Sequence, residues 1–454
     1  MIKMTNDTLD FVTQKLLDQA KLMGADEADV IATKGQSLNV DVRQGALENA
    51  DRAEGTEVGL RVLVSKRQAI VSSSDISEDT LQLMVERAIA MAKDAPEDKY
   101  AGLANVDQLT KETDLFGLEI CDPAPEPSPS KLQEEAERAE ASALQVSGVS
   151  KVSDASASYG KYSVFMAASN GFTANYERSS HSVSCVAIAG EGSDMERDYD
   201  ADTRVYQSDL RSPEEIGRTA GSRAVERLQP RRPTTGNYPV LYDERISSGL
   251  VSHFLSAING AAIARGSSWL KDSLGKQVLP KACRLVEDPH RLRCGASRLY
   301  DSEGLATKKR EIVSNGILNE WTLDLASSRK LDMKPTANAA RGVSSNPSPT
   351  NWNIELSSRE DPHDNLLKEM GTGLLVTSLI GSTINANTGD YSRGASGFWV
   401  EDGQICYPVS EITIAGNLRD MLKGIILGND ARKHLSYVVP SILVESMTLA
   451  GSRS

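Results

Sequence analysis

Aromatic side chains are scarce in this chain of 454 residues: Phe, Tyr and Trp make up 5% of it, against 39% for all hydrophobic residues. Its cores must therefore rest on Leu, Ile, Val and Ala, and the apolar fraction is still too high for a disordered chain. No uninterrupted apolar run approaches the roughly 20 residues that span a bilayer, so no membrane contact is expected. Residues Met1 to Asp10 contain no apolar h-region. They read as neither a signal nor a transit peptide, which makes the cytoplasm the expected location. The five cysteines, Cys121, Cys185, Cys283, Cys294 and Cys406, show no C-x-x-C spacing. An odd, dispersed set argues against a disulfide framework and against a thiolate zinc knuckle.

Common catalytic signatures are missing as well. There is no G-x-x-x-x-G-K-[ST] loop for a triphosphate. Gly371-Thr372-Gly373 lacks the third glycine of a dinucleotide fingerprint. Ser392 and Ser396 come near a G-x-S-x-G elbow, but neither sits at its centre. Histidine is limited to His181, His253, His290, His363 and His434, and no two stand three or four residues apart. No helix face can then present a histidine pair to a metal. His290 and His363 follow Asp-Pro and read as turn residues. His253, flanked by Leu250, Val251 and Leu255, reads as a half-buried, hydrogen-bonded helix residue. The formal charge of −13 disfavours direct nucleic-acid binding, which needs a basic field. The one compact basic run, Arg227 to Arg232, stands beside Pro230 and Pro233 and reads as a solvated linker.

What is present points to an α+β fold. Leu9, Val12, Leu16, Leu17 and Ala20 recur at helical spacing. Alternation predicts strands at Ala28–Ala32, Leu38–Val42, Val58–Val64 and Gln68–Ser72, followed by a helix after Ser77. The order then begins again after a Pro-rich connector: a helix over Lys131–Leu144, strands at Ser163–Ala168 and Phe172–Tyr176 joined through Asn170-Gly171, and a helix opened by Ser212-Pro213-Glu214-Glu215. These boundaries give a first α/β half over residues 1–122, a connector over 123–130, a second half over 131–229 and a strand-rich C-terminal domain over 238–454. The two N-terminal halves read as an internal duplication. Within the last domain a helix is predicted over Ile246–Ile258, with hairpin turns at Asn315-Gly316 and Asp402-Gly403.

The C-terminal segments carry a resemblance. Gly371 to Thr377, Asn387 to Gly394, Gly397 to Glu401, Pro408 to Leu418 and Gly428-Asn429-Asp430 resemble signature runs of the TldD/PmbA family, and most closely its PmbA (TldE) branch. Asp272 to Gln277 and Asp301-Ser302-Glu303-Gly304 match too, and the resemblance extends over essentially the whole chain. It implies a cytoplasmic metalloprotease complex in which the TldD branch holds zinc on a His-Glu-x-x-x-His helix, with a later cysteine as third ligand. That helix corresponds here to Leu250–Ala257. In the favoured register Ser252 and Ala257 replace the two histidines and His253 replaces the glutamate; sliding by one residue puts His253 on the first ligand but leaves Phe254 and Ile258 in the other two roles. No cysteine follows Cys406.

On this basis the chain is expected to have no catalytic, cofactor-binding or metal-binding residues of its own. Its expected role is that of a non-catalytic subunit that pairs with a zinc-bearing, TldD-like paralogue, or with itself, and acts on peptides or unfolded segments. Two alternatives stay open. One is a peptidase working as a homo-oligomer, with ligands gathered from His253, His290, Asp301, Glu303 or His434. The other is a protein-binding modulator of DNA gyrase. Catalytic zinc needs about three protein ligands and an open water position, so the purified chain alone is expected to retain no stoichiometric transition metal. Elemental analysis finding about one zinc per chain, lost on His253→Ala, would overturn this.

Overall fold

The computed structural model describes residues 6–358 and 365–451, so the turn expected at His363 lies outside the described residues. The class is α+β. One order of elements is used twice in the N-terminal half. Helix α1 (Asn6–Leu22) leads into strands β1 (Glu27–Arg43), β2 (Ala46–Val64) and β3 (Arg67–Ser73) and helix α2 (Glu78–Asp94). Helix α3 (Pro129–Leu144) then leads into β4 (Val149–Ala168), β5 (Thr173–Ala189), β6 (Glu196–Arg204) and helix α4 (Pro213–Glu226). The six strands form one antiparallel sheet of order β3-β2-β1-β4-β5-β6. The first strand of each repeat pairs with the other along the middle, Asp29 opposite Ala168 and Val42 opposite Ala155, which relates the halves by an approximate two-fold.

Successive side chains of a strand point to opposite faces, and β1 uses this to serve two cores. Its Ala28, Val30 and Ala32 join Leu16 of α1 and Val85 of α2. Farther along, Leu38, Val40 and Val42 join Leu132 of α3 and Ile216 of α4. All four helices thus cover one face of the sheet. The two strands predicted at Ala28–Ala32 and Leu38–Val42 are one strand of 17 residues. Between them, Thr33 to Ser37 add little to a core, yet β2 and β4 ladder them on both sides. Hydrogen bonding to two neighbours carries the strand through a stretch where the apolar pattern lapses.

Local chemistry explains the element ends. Ser212 accepts from the Glu215 N–H with Pro213 at the first helical position, and Ser128 does the same for Lys131. Pro129 is consequently the first residue of α3 rather than part of a connector. Asn315 and Gly316 have φ of 52° and 74°, and Asp402 and Gly403 of 49° and 75°, the left-handed pairs of type I′ turns. Asn170-Gly171 behaves differently from expectation. Only Gly171 has positive φ, at 94°, its N–H bonds the Ala168 carbonyl at 3.0 Å, and the Ala168 N–H bonds the Phe172 carbonyl at 2.9 Å. This is a three-residue loop with a glycine bulge.

The C-terminal half is organised around a closed ring of strands. β7 (Gly236–Tyr242) pairs in parallel with Gly373–Ile384 and antiparallel with Ile442–Ala450. Gly373–Ile384 continues through Asp390–Glu401 to Gln404–Asn417, which returns to Ile442–Ala450. Helix α5 (Glu244–Ala257) follows β7 and places Leu250 and Phe254 in one core with Val376, Tyr391 and Ile414. A second, smaller sheet is formed around Cys283–Glu287, Arg310–Ser314 and Ile354–Ser358. No helix among the described residues is long and apolar enough to cross a membrane.

Two glycines of the ring have different duties. A Cβ on Gly397 would stand 1.9 Å from the Leu375 carbonyl oxygen, whereas one on Gly394 would meet its nearest atom, the Ile380 carbonyl oxygen, at 3.4 Å. Backbone cannot give way as a flexible side chain can, so Gly397→Ala is expected to cost about 3 kcal/mol or more. Gly394→Ala is expected to stay within about 1 kcal/mol. Urea denaturation of the two variants checks the contrast; equal midpoints would refute it.

Candidate functional site

The edge strand β6 reads Glu-Arg-Asp-Tyr-Asp-Ala-Asp-Thr-Arg. Period-two geometry puts Glu196, Asp198, Asp200 and Asp202 on one face, and the three aspartates are buried. Buried carboxylates need partners, and arginines supply them. Asp198 meets Arg227, the C-cap of α4, and Arg245 of α5, each at 3.3 Å. Asp200 meets Arg211 at 2.8 Å and Arg223 at 2.9 Å, and Asp202 meets Arg204 at 2.9 Å. Because Arg245 belongs to the C-terminal half, the ladder also joins the two halves. With no apolar alternation to mark it, β6 escapes prediction as a strand.

Beside this ladder lies a cleft of about 970 Å³. One wall is β6, with Glu196, Arg197 and Tyr199, together with Arg227 just past α4; the other is the strand ring, with Thr377 to Ile380, Arg393 to Ser396 and Ser410 to Ile412; the start of α5 closes one side. Strand Gly373–Ile384 pairs with β7 only from Leu374 to Val376. From Thr377 onward its edge on that side carries no strand among the described residues, and Ile380 is 71% exposed. Two polar atoms at the cleft are buried without a hydrogen-bond partner, the Thr377 hydroxyl oxygen and Arg393 Nε. The Arg393 guanidinium approaches the Tyr391 hydroxyl, and no carboxylate among the described residues lies within ion-pair distance of it. The acids of the cleft are matched: Glu196 and Asp198 by Arg227, and Glu411 by Arg232.

Helix α5 borders the same space. His253 is half-buried and its ring meets Tyr391 edge-on at 6.0 Å. Burial first, and then the charge of Arg393, hold its pKa below the ordinary value, so it is neutral near pH 7. It has no hydrogen-bond partner among the described residues, unlike the hydrogen-bonded residue expected. The Ser252 hydroxyl is exposed and donates to the Ser248 carbonyl at 2.9 Å. Ala257 is buried in the core and has no donor atom. Ser252, His253 and Ala257 therefore do not fit a metal ion, and the positive charge of Arg393 acts on the one imidazole among them.

The other residues weighed as ligands are dispersed. His290 Nε2 meets the Thr307 hydroxyl at 3.1 Å, and its own N–H bonds the Asp288 carboxylate in a turn. His434 lies 3.5 Å from Asp202, and buried His181 lies 3.4 Å from Asp122. Asp301 and Glu303 do come together, but as clamps on the backbone. Asp301 accepts the N–H groups of Glu303, Leu305 and Ala339 at 2.9 to 3.0 Å, and Glu303 accepts that of Leu325 at 2.8 Å. They stand where the two halves of the chain meet, against the buried cluster of Asp29, Arg61 and Arg341. Among the described residues no three His, Cys, Asp or Glu side chains group as a metal site.

A two-fold-related α/β sheet joined to a strand ring is an architecture shared with other solved proteins. Residues 28–92, 122–228 and 235–451 match, in order, domain 1, the central domain and the C-terminal domain of the PmbA/TldA metallopeptidases. The Metalloprotease PmbA of Escherichia coli O157:H7 is 39% identical over 94% of this chain and 93% of its own length. A PmbA homologue of Haemophilus influenzae is 38% identical over 94% and 92%. The chain belongs to the PmbA/TldD metalloprotease family. Among solved structures, a candidate modulator of DNA gyrase from Bacteroides thetaiotaomicron superposes with a TM-score of 0.89 at 25% identity, covering 99% of this chain and all of that one. TldE of Thermococcus kodakarensis shares the fold, with a TM-score of 0.81 at 19% identity over 97% of this chain and all of that one.

Arg393 stands within a signature run and has no mark of its own in the sequence, and the β6 ladder has no apolar pattern to announce it. The period-two charge pattern from Glu196 to Arg204 was the available signal.

The carboxyl cluster at the join makes stability depend on pH. Burial, and then the neighbouring Asp301, raise the pKa of Glu303, with Arg61 opposing more weakly. A carboxyl that holds its proton more tightly folded than unfolded adds stability below the ordinary carboxylate pKa, and that contribution is lost as pH rises through the raised value. Glu303→Gln keeps an acceptor for the Leu325 N–H but does not ionise. Between about pH 5 and about pH 8.5 the native chain is expected to lose about 1 kcal/mol or more relative to this variant. Parallel thermal melts of the two across that range would contradict the assignment.

Proposed function

We propose that this chain is the non-catalytic member of a TldD/TldE-type peptidase pair in the cytoplasm, and that it holds extended peptide or unfolded polypeptide in the cleft between its halves. The observation that carries this reading is the chemistry of α5 in a metalloprotease-family chain: Ser252 bonds its own helix, Ala257 offers no donor, and His253 is neutral beside a guanidinium. Family membership supplies the context of peptide hydrolysis. The partner, a TldD-like paralogue, supplies the zinc and the water it activates.

The cleft supports the peptide half of the reading. A strand edge with open backbone groups binds an extended chain through main-chain hydrogen bonds and tolerates varied side chains. The stretch after Thr377 offers such an edge, and it borders the cleft. Similarity of fold between the two branches makes a pseudo-symmetric pair geometrically natural.

Co-expression with a TldD-like paralogue tests the proposal. The two chains are expected to co-purify, and chelator-sensitive cleavage of an unfolded protein is expected from the pair and not from this chain alone. Chelator-sensitive cleavage by this chain in isolation would overturn the reading.

A further inference from the structure

Arg393 differs from the other buried or half-buried arginines near the cleft. Arg227 and Arg245 are each matched by Asp198, and Arg211 and Arg223 by Asp200. Arg393 has no such match among the described residues, and its Nε is buried without an acceptor. A guanidinium presents donors in a planar fork, and burying one donor without an acceptor is costly. The Thr377 hydroxyl, also buried and unpartnered, borders the same cavity. Arg393 and Thr377 both line the one cleft, and no carboxylate among the described residues balances the guanidinium, so negative charge is what an occupant would supply.

Position narrows the occupant further. Arg393 lies on the strand next to the free edge: Gly394 pairs with Ile380, and Ser392 with Thr383. A peptide added along the edge from Thr377 would lie one strand beyond Gly373–Ile384, about 10 Å from the backbone that carries Arg393. The carboxylates already lining the cleft are paired, so an incoming carboxylate meets an unneutralised cation rather than a balanced surface.

We infer that the cleft is a receptor for the free C-terminal carboxylate of an extended peptide, with Arg393 as its anchor and the edge after Thr377 binding the main chain behind it. A terminal carboxylate suits this place because it is held on the backbone axis, where an edge-bound strand ends. It also brings two acceptor oxygens for the guanidinium fork. The inference rests on the proposed peptide-holding role and adds an end preference to it: this subunit would take the tail of a polypeptide.

The test uses the full chain and fluorescence anisotropy with an N-terminally labelled unstructured peptide of about ten residues. The peptide is made with a free C-terminus, as the C-terminal amide, and as the amide with glutamate in last place. The free acid is expected to bind about tenfold more tightly than either amide, the loss expected for one charge-assisted pair. Arg393→Gln is expected to bring binding of the acid down to that of the amides, and Arg393→Lys to retain part of the difference. Acid and amide binding alike would overturn the anchor while leaving peptide holding intact, and so would a glutamate amide that matches the acid. Failure of every peptide to bind would overturn both this inference and the peptide-holding role. The acid-to-amide comparison on the unaltered chain decides the matter even if the Arg393 variants do not fold.

Discussion

Taking a guanidinium out of water costs several kcal/mol unless a carboxylate or carbonyl receives it, and the join between the two halves of this chain is fastened by a series of such receptions. Arg341 reaches Asp29, which Arg61 also holds at 2.5 Å. Arg329 donates to the carbonyls of Tyr100, Gly102 and Leu103, and Arg178 to those of Gly295 and Ser297. Arg245 meets Asp198 across the same boundary. Each of these bonds has a direction and a narrow range of lengths, which greasy contact alone would lack. The cleft inherits its shape from them, since one of its walls belongs to each half.

Close approach of backbone completes the fit. A Cβ on Gly59 of β2 would fall 1.8 Å from the Val343 carbonyl oxygen, so a loop of the C-terminal half lies directly on the N-terminal sheet there. The face of that sheet away from the helices is covered in the same region by Leu115, Leu118, Ile120 and Tyr300, packed on Ile31, Val164 and Met166. Apolar cover and ionic fastening therefore share one interface. The first excludes water, and by doing so it makes the second stronger and any unmatched charge more expensive.

Features set by a few adjacent residues were readable from the sequence. The left-handed pairs at Asn315-Gly316 and Asp402-Gly403 follow from their own backbone preferences, and the start of α4 from Ser212, Pro213 and Glu215. The duplicated order of helix, strands and helix could be seen because apolar periodicity is also local. The sequence could not reveal what depends on distant partners. β6 looks like a polar loop until Arg223, Arg227 and Arg245 are placed against it. Asp301 and Glu303 looked like possible ligands because carboxylates are versatile; only the nearby N–H groups of Leu305, Leu325 and Ala339 show that they secure loops. Arg393 is conspicuous for a missing partner, and an absence of that kind exists only in three dimensions.

The β6 ladder also constrains how this protein can change over generations. Each of its aspartates is enclosed with the arginine that neutralises it, so replacing either one strands a charge in a place it cannot leave, whereas replacing both removes the difficulty. A lineage can therefore cross this strand only in coupled steps, an acid and its base together. Asp198 bonds the C-cap arginine of α4 and an arginine of α5, so a change there draws α4 and α5 into the same step. The strand is held in place less by what any one residue contributes than by the scarcity of single substitutions that leave the remainder whole.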